Sequence, residues 1–269
     1  MSNKILLKKV CIIDPNSSYN GKEMDVLIED GNITKINKSI SIDKAELIQE
    51  KGLHICPGLF DFSVDFGEPG YEHKETLQSG CEAAMSGGFT GFGLNPTDTP
   101  PRDNKSAVAF CKNFTKNLPI EAFPFGSLSK DMKGEQLAEM YDMYKAGAVA
   151  FTDFNKPIKH SGLLSRALLY SKNFNGLIIS FPHDPTIAPN GQMNEGINST
   201  KMGVEGIPAL SEKTFLNRDL FINEYNDGRI HFNIISTSSS VEDIHKAKKS
   251  KQEVSCGTSI YHLLFDDSM

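Results

Sequence analysis

The sequence predicts an α/β fold, a TIM-like (β/α) barrel that is incomplete at its C-terminal end and is preceded by a small β subdomain. Short β-branched segments separated by turn residues fill the first 55 residues. From Pro57 onward, short apolar runs alternate with segments of helical periodicity, which is typical of βα units around a parallel sheet. Seven such units can be counted, whereas a closed barrel needs eight.

The small β subdomain is predicted to occupy residues 1–55, and the barrel residues 56–269. Within the subdomain, strands are expected at residues 5–13, 25–29, 32–36 and 47–55. Asp30-Gly31 lies between the second and third of these segments and is a strong signal for a tight β-hairpin turn.

The barrel is predicted from two interleaved sets of segments. Strands are expected at residues 59–66, 91–94, 121–125, 148–152, 177–181 and 230–235, with a further one at 253–256. Helices are expected at residues 75–85, 104–117, 134–145, 161–173, 209–225 and 241–248. Because no eighth unit follows residue 256, the barrel is expected to lack its last strands, as in a truncated chain.

Composition narrows the class of protein. The chain is 39% hydrophobic and 23% charged, with a net charge of −6 and no long basic run, which favours a globular protein without a nucleic-acid partner. No segment approaches the roughly 20 apolar residues that a membrane span requires. The five cysteines lack C-x-x-C spacing, which argues against a disulfide framework or a cysteine zinc site and indicates a cytoplasmic protein.

Several motifs flank the predicted strand ends. Pro57-Gly58, Asp61, Glu68-Pro69-Gly70 and the run 72–75 surround the first barrel strand, and residues 86–90, 146–153 and 193–196 continue the pattern. With these motifs the chain resembles the dihydroorotases of the amidohydrolase superfamily over essentially its whole length. The resemblance implies a zinc-dependent hydrolase that opens a small cyclic amide, dihydroorotate, to N-carbamoyl-aspartate in pyrimidine biosynthesis.

Most metal positions implied by the resemblance are changed. The His-x-His pair that binds zinc from one strand face falls on Ser63 and Asp65, and two further histidines fall on Phe181 and Ile234. Asp153 matches the bridging carboxylate and is retained. Asp153 and Asp65 are therefore the candidate metal ligands, and zinc is expected to be absent or weakly bound.

The substrate positions are changed as well. The arginine that the resemblance pairs with the substrate carboxylate falls on Gly67, and the asparagine of the substrate loop falls on Thr97. The proton-shuttling aspartate would follow an eighth strand, so no residue is assigned a catalytic role.

Each candidate ligand also has a structural interpretation. Asp153 can hold the loop after its strand or cap the next helix, and Asp65 can bond within its own loop. His183 is better explained as a polar loop residue than as a ligand, and His231 as a structural or exposed residue. The run 72–75 is expected to open a helix.

Three functions stay open on the sequence alone. In the first, the chain is an inactive homologue, a pseudoenzyme. In the second, it is an active cyclic amidohydrolase with an atypical site built from Asp65, Asp153 and His183. In the third, it is a non-catalytic scaffold for aspartate carbamoyltransferase, a role that the resemblance permits. An open barrel exposes strand edges and apolar helix faces, so a homo-oligomer is expected.

Overall fold

The computed structural model describes residues 4–269, and the chain forms two compact units, one ending at Leu59 and the other beginning at Phe60. The first unit contains β1 (Lys4–Ile12), β2 (Glu23–Glu29), β3 (Asn32–Asn37), β4 (Glu46–Ile48) and β5 (His54–Ile55). They form one sheet in the order β3-β2-β1-β4, with β5 also paired to β1.

The hairpin between β2 and β3 turns at Asp30-Gly31, as predicted. Both residues have positive φ angles, 49° and 80°, which this short turn requires. The single strand predicted at residues 47–55 is wrong, because a turn at Lys51-Gly52 divides it into β4 and β5, which pair with different parts of β1.

The second unit alternates strands and helices. Its main strands are β6 (Leu59–Val64), β7 (Phe89–Leu94), β8 (Glu121–Gly126), β9 (Ala150–Phe151), β10 (Leu177–Ser180), β13 (Arg229–Phe232) and β14 (Glu253–Cys256), and β11 (Met193–Asn194) pairs with β12 (Gly206–Ile207) beside them. The helices are α1 (Leu77–Ser86), α2 (Lys105–Thr115), α3 (Met140–Lys145), α4 (Ser161–Ser171), α5 (Ile197–Met202), α6 (Ala209–Asn226), α7 (Ser238–Lys249) and α8 (Ile260–Leu264).

The main strands form one sheet in the order β14-β13-β10-β9-β8-β7-β6, and every pair from β7 to β14 is parallel. Alternate residues face two different cores, as the strand geometry requires. Ile178 and Phe232 pack with Leu164 and other helix residues, whereas Phe125 and Ile179 belong to a separate cluster. This arrangement confirms the predicted α/β barrel-type fold.

Two helix predictions need correction. The run 72–75 does not open a helix: α1 begins after Thr76, whose side chain accepts a hydrogen bond from Ser79 N, while Glu72 bonds to the backbone of Gly70. Of the helix predicted at 134–145 only α3 forms, because Ala138 N donates to Leu128 O and holds the preceding segment in an extended bridge. None of the helices within residues 4–269 combines the length and the hydropathy that a membrane-spanning helix needs.

Candidate functional site

Three polar side chains meet at the carboxyl ends of the strands, where βα barrels place their working residues. Ser63 Oγ lies 3.0 Å from Asn95 Nδ2 and 3.2 Å from Asn95 Oδ1. Asn233 Nδ2 donates to Ser63 Oγ at 3.3 Å. Both asparagines are buried. This amide cluster (Ser63, Asn95 and Asn233) therefore occupies one of the predicted metal positions with neutral groups that satisfy one another.

Asp65, at the other position of the expected histidine pair, lies outside this cluster. Asp65 is exposed and accepts a hydrogen bond from Thr97 Oγ1, so a candidate ligand is joined to a predicted substrate position. Both side chains belong to loops that follow neighbouring strands. The contact supports the loop-bonding interpretation of Asp65.

Gly67 lies in a turn that leaves no space for a side chain. Its carbonyl oxygen accepts from Tyr71 N at 2.5 Å, and a Cβ atom at Gly67 would lie 2.3 Å from the Tyr71 carbonyl oxygen. That separation is far below van der Waals contact, so the backbone itself excludes the arginine that the resemblance places here.

Asp153 follows β9 and is buried. Its Oδ1 accepts from Leu128 N at 3.0 Å and from Ser129 N at 2.9 Å, and its Oδ2 accepts from Ser129 Oγ. Burial raises the pKa of Asp153, and the hydrogen bonds from Ser129 and Leu128 oppose that rise only in part. The carboxyl group thus ties the end of β9 to the loop after β8.

Phe181 and Ile234, the two other positions where the resemblance implies histidines, line a cavity on the second unit. Phe181, His183 and Ile234 border a space of about 880 Å³, with the rings of Phe181 and His183 5.8 Å apart. Ile234 has a φ of 57°, a left-handed conformation that is strained for a β-branched residue. Asp153 lines a different cavity of about 320 Å³.

The positions of these side chains show whether they can bind the zinc ion that the resemblance implies. Within residues 4–269, no three His, Cys, Asp or Glu side chains lie close enough together to hold a metal ion. Hydroxyl and amide groups such as those of the amide cluster are not the ligands that protein zinc sites use. The donor set of this chain therefore does not fit the family's metal centre.

His231 is buried on β13, inside the curled sheet. Its ring lies 4.2 Å from that of Phe62, and Nδ1 lies 2.8 Å from Ser255 Oγ on β14. Burial lowers the pKa of His231 to about 4, with a further contribution from Lys248. Nε2 is buried and has no hydrogen-bond partner among the described residues. The side chain is therefore neutral near pH 7.

Glu212, which no pattern in the sequence singled out, holds one wall of the larger cavity. Glu212 of α6 accepts from the backbone and hydroxyl of Ser236 at 2.9 and 2.7 Å, and from those of Thr237 at 3.2 and 2.8 Å. Thr237 in turn caps α7 by accepting from Ser240 N. Asn95 carries a signal in the sequence, since it is a polar residue directly after the strand predicted at 91–94, whereas Asn233 falls inside the strand predicted at 230–235 and follows a strand only because β13 ends at Phe232.

Replacing Glu212 with alanine is expected to lower the free energy of unfolding by about 2–4 kcal/mol, because four donors lose a charged acceptor. Urea denaturation of the variant measures the loss. Glu224→Ala, at an exposed position of the same helix, is the matched control and is expected to stay within about 0.5 kcal/mol of the parent. Equal stability of the two variants would contradict the role of Glu212.

Comparison with solved structures first defines the class of fold. L-Hydantoinase (dihydropyrimidinase) from Arthrobacter aurescens superposes with a TM-score of 0.81 at 20% identity, covering 100% of this chain and 60% of the other. A D-hydantoinase gives 0.74 at 19% identity, covering 98% and 59%. At these identities the likeness shows the fold alone, and it agrees with the α/β barrel-type sheet described above.

Sequence comparison gives the family. A model of dihydro-orotase-like proteins matches residues 52–240. A dihydroorotase from Acetivibrio thermocellus is 40% identical over 264 residues, and one from Pelotomaculum thermopropionicum 36% identical over 266; each match covers 98% of this chain and 62% of the relative. The chain belongs to the dihydroorotase-like family, which confirms the resemblance, and it spans about three fifths of the length of these relatives.

Proposed function

We propose that this chain is a dihydroorotase-family protein that lacks metal-dependent hydrolytic activity. The observation that carries the proposal is the amide cluster, in which Ser63, at a predicted metal position, is bonded to Asn95 and Asn233. Neutral groups that satisfy one another neither attract a divalent cation nor gain by releasing their partners to bind one.

The chemistry of the family reaction explains the expected loss. A divalent ion lowers the pKa of a bound water and polarises the carbonyl that the water attacks. Hydroxyl and amide side chains supply neither effect. The turn at Gly67 has no space for the arginine that the resemblance pairs with the substrate carboxylate. The residues expected to bind the metal and the residue expected to bind the substrate are therefore absent together.

The alternative of an active, atypical site finds less support. It needs Asp65, Asp153 and His183 to converge on one ion, yet Asp65 is bonded to Thr97, and within residues 4–269 no three His, Cys, Asp or Glu side chains lie close enough together to hold a metal ion. The aspartate carbamoyltransferase partnership, a cyclic amide ligand and a cytoplasmic location stay predictions of the sequence.

Metal content and hydrolysis test the proposal together. The chain is produced in zinc-supplemented medium, passed through gel filtration, and assayed for bound zinc and for hydrolysis of dihydroorotate. We expect substoichiometric zinc and no hydrolysis above the buffer rate. The dihydroorotase of Acetivibrio thermocellus, prepared in parallel, shows that the procedure preserves a metal site.

Two variants show whether any bound zinc depends on Asp153. Asp153→Asn removes the retained carboxylate, and Asp142→Asn changes an exposed aspartate on α3 as its matched control. Neither is expected to change the zinc content. Stoichiometric zinc that disappears only in Asp153→Asn, accompanied by hydrolysis in the parent chain, would overturn the proposal in favour of the atypical enzyme.

A further inference from the structure

The cavity of about 320 Å³ beside Asp153 is lined by positively charged side chains. Lys133 comes from the segment between β8 and α3. Three more residues come from the segment between β9 and α4: Lys156, Lys159 and His160. We call these four residues and the cavity that they line the basic pocket. Because the chain as a whole carries a net charge of −6, three lysines around one cavity create a local field of the opposite sign.

The lysines of the basic pocket keep their charge available to a ligand. Within residues 4–269, the ammonium groups of Lys156 and Lys159 take part in no ion pair. Lys133 pairs with Asp131 at 3.1 Å, but both side chains of that pair are exposed, so water screens the attraction. Like charges that border one cavity repel each other, and an anion bound between them would remove that repulsion.

Asp153, the acidic residue that lines the basic pocket, joins its two walls. Its oxygens accept from Leu128 N and from the backbone and hydroxyl of Ser129, in the segment that also carries Lys133. Ser129 Oγ in turn accepts from Gly134 N at 2.8 Å. These donors occupy the carboxyl group, and burial raises its pKa toward the neutral form. Asp153 therefore opposes a bound anion less than an exposed carboxylate would.

A second set of contacts fixes the backbone that carries the other lysines. Arg218 of α6 donates from Nη2 to Ile158 O at 2.7 Å and from Nη1 to Lys159 O at 3.2 Å. The guanidinium is itself held by Asp219, which accepts from its Nε at 2.8 Å, and by the ring of Phe215, 3.9 Å away. The backbone of the pocket is thus positioned before a ligand binds, which lowers the entropic cost of binding.

The chemistry and size of the basic pocket indicate the class of ligand. A phosphate group carries nearly two negative charges at neutral pH and three acceptor oxygens, which suits several separate ammonium groups better than a single carboxylate does. The N-terminus of α4 directly follows His160, whose side chain makes no capping bond, and its partial positive charge adds to that of the lysines. A volume of about 320 Å³ corresponds to a small molecule. We infer that the basic pocket binds the phosphate group of a small molecule.

Titration with ribose 5-phosphate, inorganic phosphate and ribose tests the inference. The 269-residue chain is kept in metal-free buffer of low ionic strength, so the result does not depend on its zinc content or on hydrolysis. Calorimetry measures the affinity, and NMR shifts of residues 131–134 and 153–160 locate the ligand. We expect both phosphates to bind at these segments and ribose not to bind. Tighter binding of ribose 5-phosphate assigns the pocket to a phosphate ester, and equal binding assigns it to free phosphate. Absence of binding by both phosphates would overturn the inference.

Matched variants at exposed lysines separate a built site from general charge attraction. Lys156→Gln combined with Lys159→Gln is expected to weaken phosphate binding about tenfold, since each exposed charge pair contributes roughly threefold in affinity. Lys133→Gln, on the opposite wall, is expected to weaken it about threefold. Lys105→Gln combined with Lys201→Gln removes the same two charges from exposed positions of α2 and α5, and is expected to leave binding unchanged. An equal loss in the two double variants, or none in either, would overturn the inference. Urea denaturation verifies that every variant is folded.

Discussion

Replacing Arg102 with alanine is expected to destabilise the chain by about 3–5 kcal/mol. Arg102 is 0% exposed; Nη2 donates to Asp98 at 2.9 Å, and Nη1 donates to the carbonyl oxygens of Leu94 and Phe125 at 3.0 and 3.1 Å. The guanidinium thereby joins the ends of β7 and β8. Burial raises the pKa of Asp98 to about 6 even with this cation beside it. Without the arginine, a buried carboxyl and two carbonyls lose their donor together.

Urea denaturation at pH 7 measures this effect. Arg166→Ala changes an exposed arginine of α4 and is expected to cost less than about 0.5 kcal/mol. Adding Asp98→Ala to Arg102→Ala is expected to recover part of the loss, because it removes the uncompensated carboxyl. A loss below about 1 kcal/mol for Arg102→Ala would show that the pair is not the link between these strand ends.

Acidification is expected to weaken the parent chain by up to about 3 kcal/mol relative to His231→Gln between pH 6.5 and pH 4. Burial depresses the pKa of His231 from 6.5 to about 4, so in this range the folded state binds fewer protons than the unfolded state. The stability that depends on the neutral ring is complete above pH 6.5 and is lost as the pH falls toward 4. Glutamine keeps a hydrogen-bonding group near Ser255 but does not titrate.

Three buried aspartates with raised pKa values, Asp98, Asp153 and Asp219, oppose this trend, so the parent has to be compared with the His231 variant. Burial raises the pKa of Asp98 and of Asp219 to about 6, so their contribution to stability is present below pH 3.8 and declines as the pH rises toward 6. Urea midpoints across this pH range are therefore compared between the parent and the variant. His245→Gln, an exposed histidine of α7, is the control and should follow the parent. Parallel curves for the parent and His231→Gln would refute the assignment.

Local signals account for the part of the fold that the sequence predicted. The Asp30-Gly31 turn, the apolar runs of β8 and β10 and the helical spacing of Leu163, Leu164, Ala167 and Leu168 each depend on neighbouring residues only. The extended segment before α3 was missed because its conformation depends on a backbone bond to Leu128, which no local pattern encodes.

The sequence predicted a site at the carboxyl ends of the strands, and Ser63 and Asp153 both lie at strand ends. Their partners were not predicted, because Ser63 and Asn233 are 170 residues apart and meet only when the sheet curls. Glu212 could not be foreseen because a helical glutamate normally faces solvent, whereas here it is folded back onto the loop that starts α7.

The turn at Gly67 limits what protein engineering can introduce at this position. Any side chain there would place its Cβ atom 2.3 Å from the Tyr71 carbonyl oxygen, so Gly67→Arg requires residues 67–71 to take another path. The design of an anion contact at this point of the barrel would therefore begin with the backbone of that segment and only then choose the side chain.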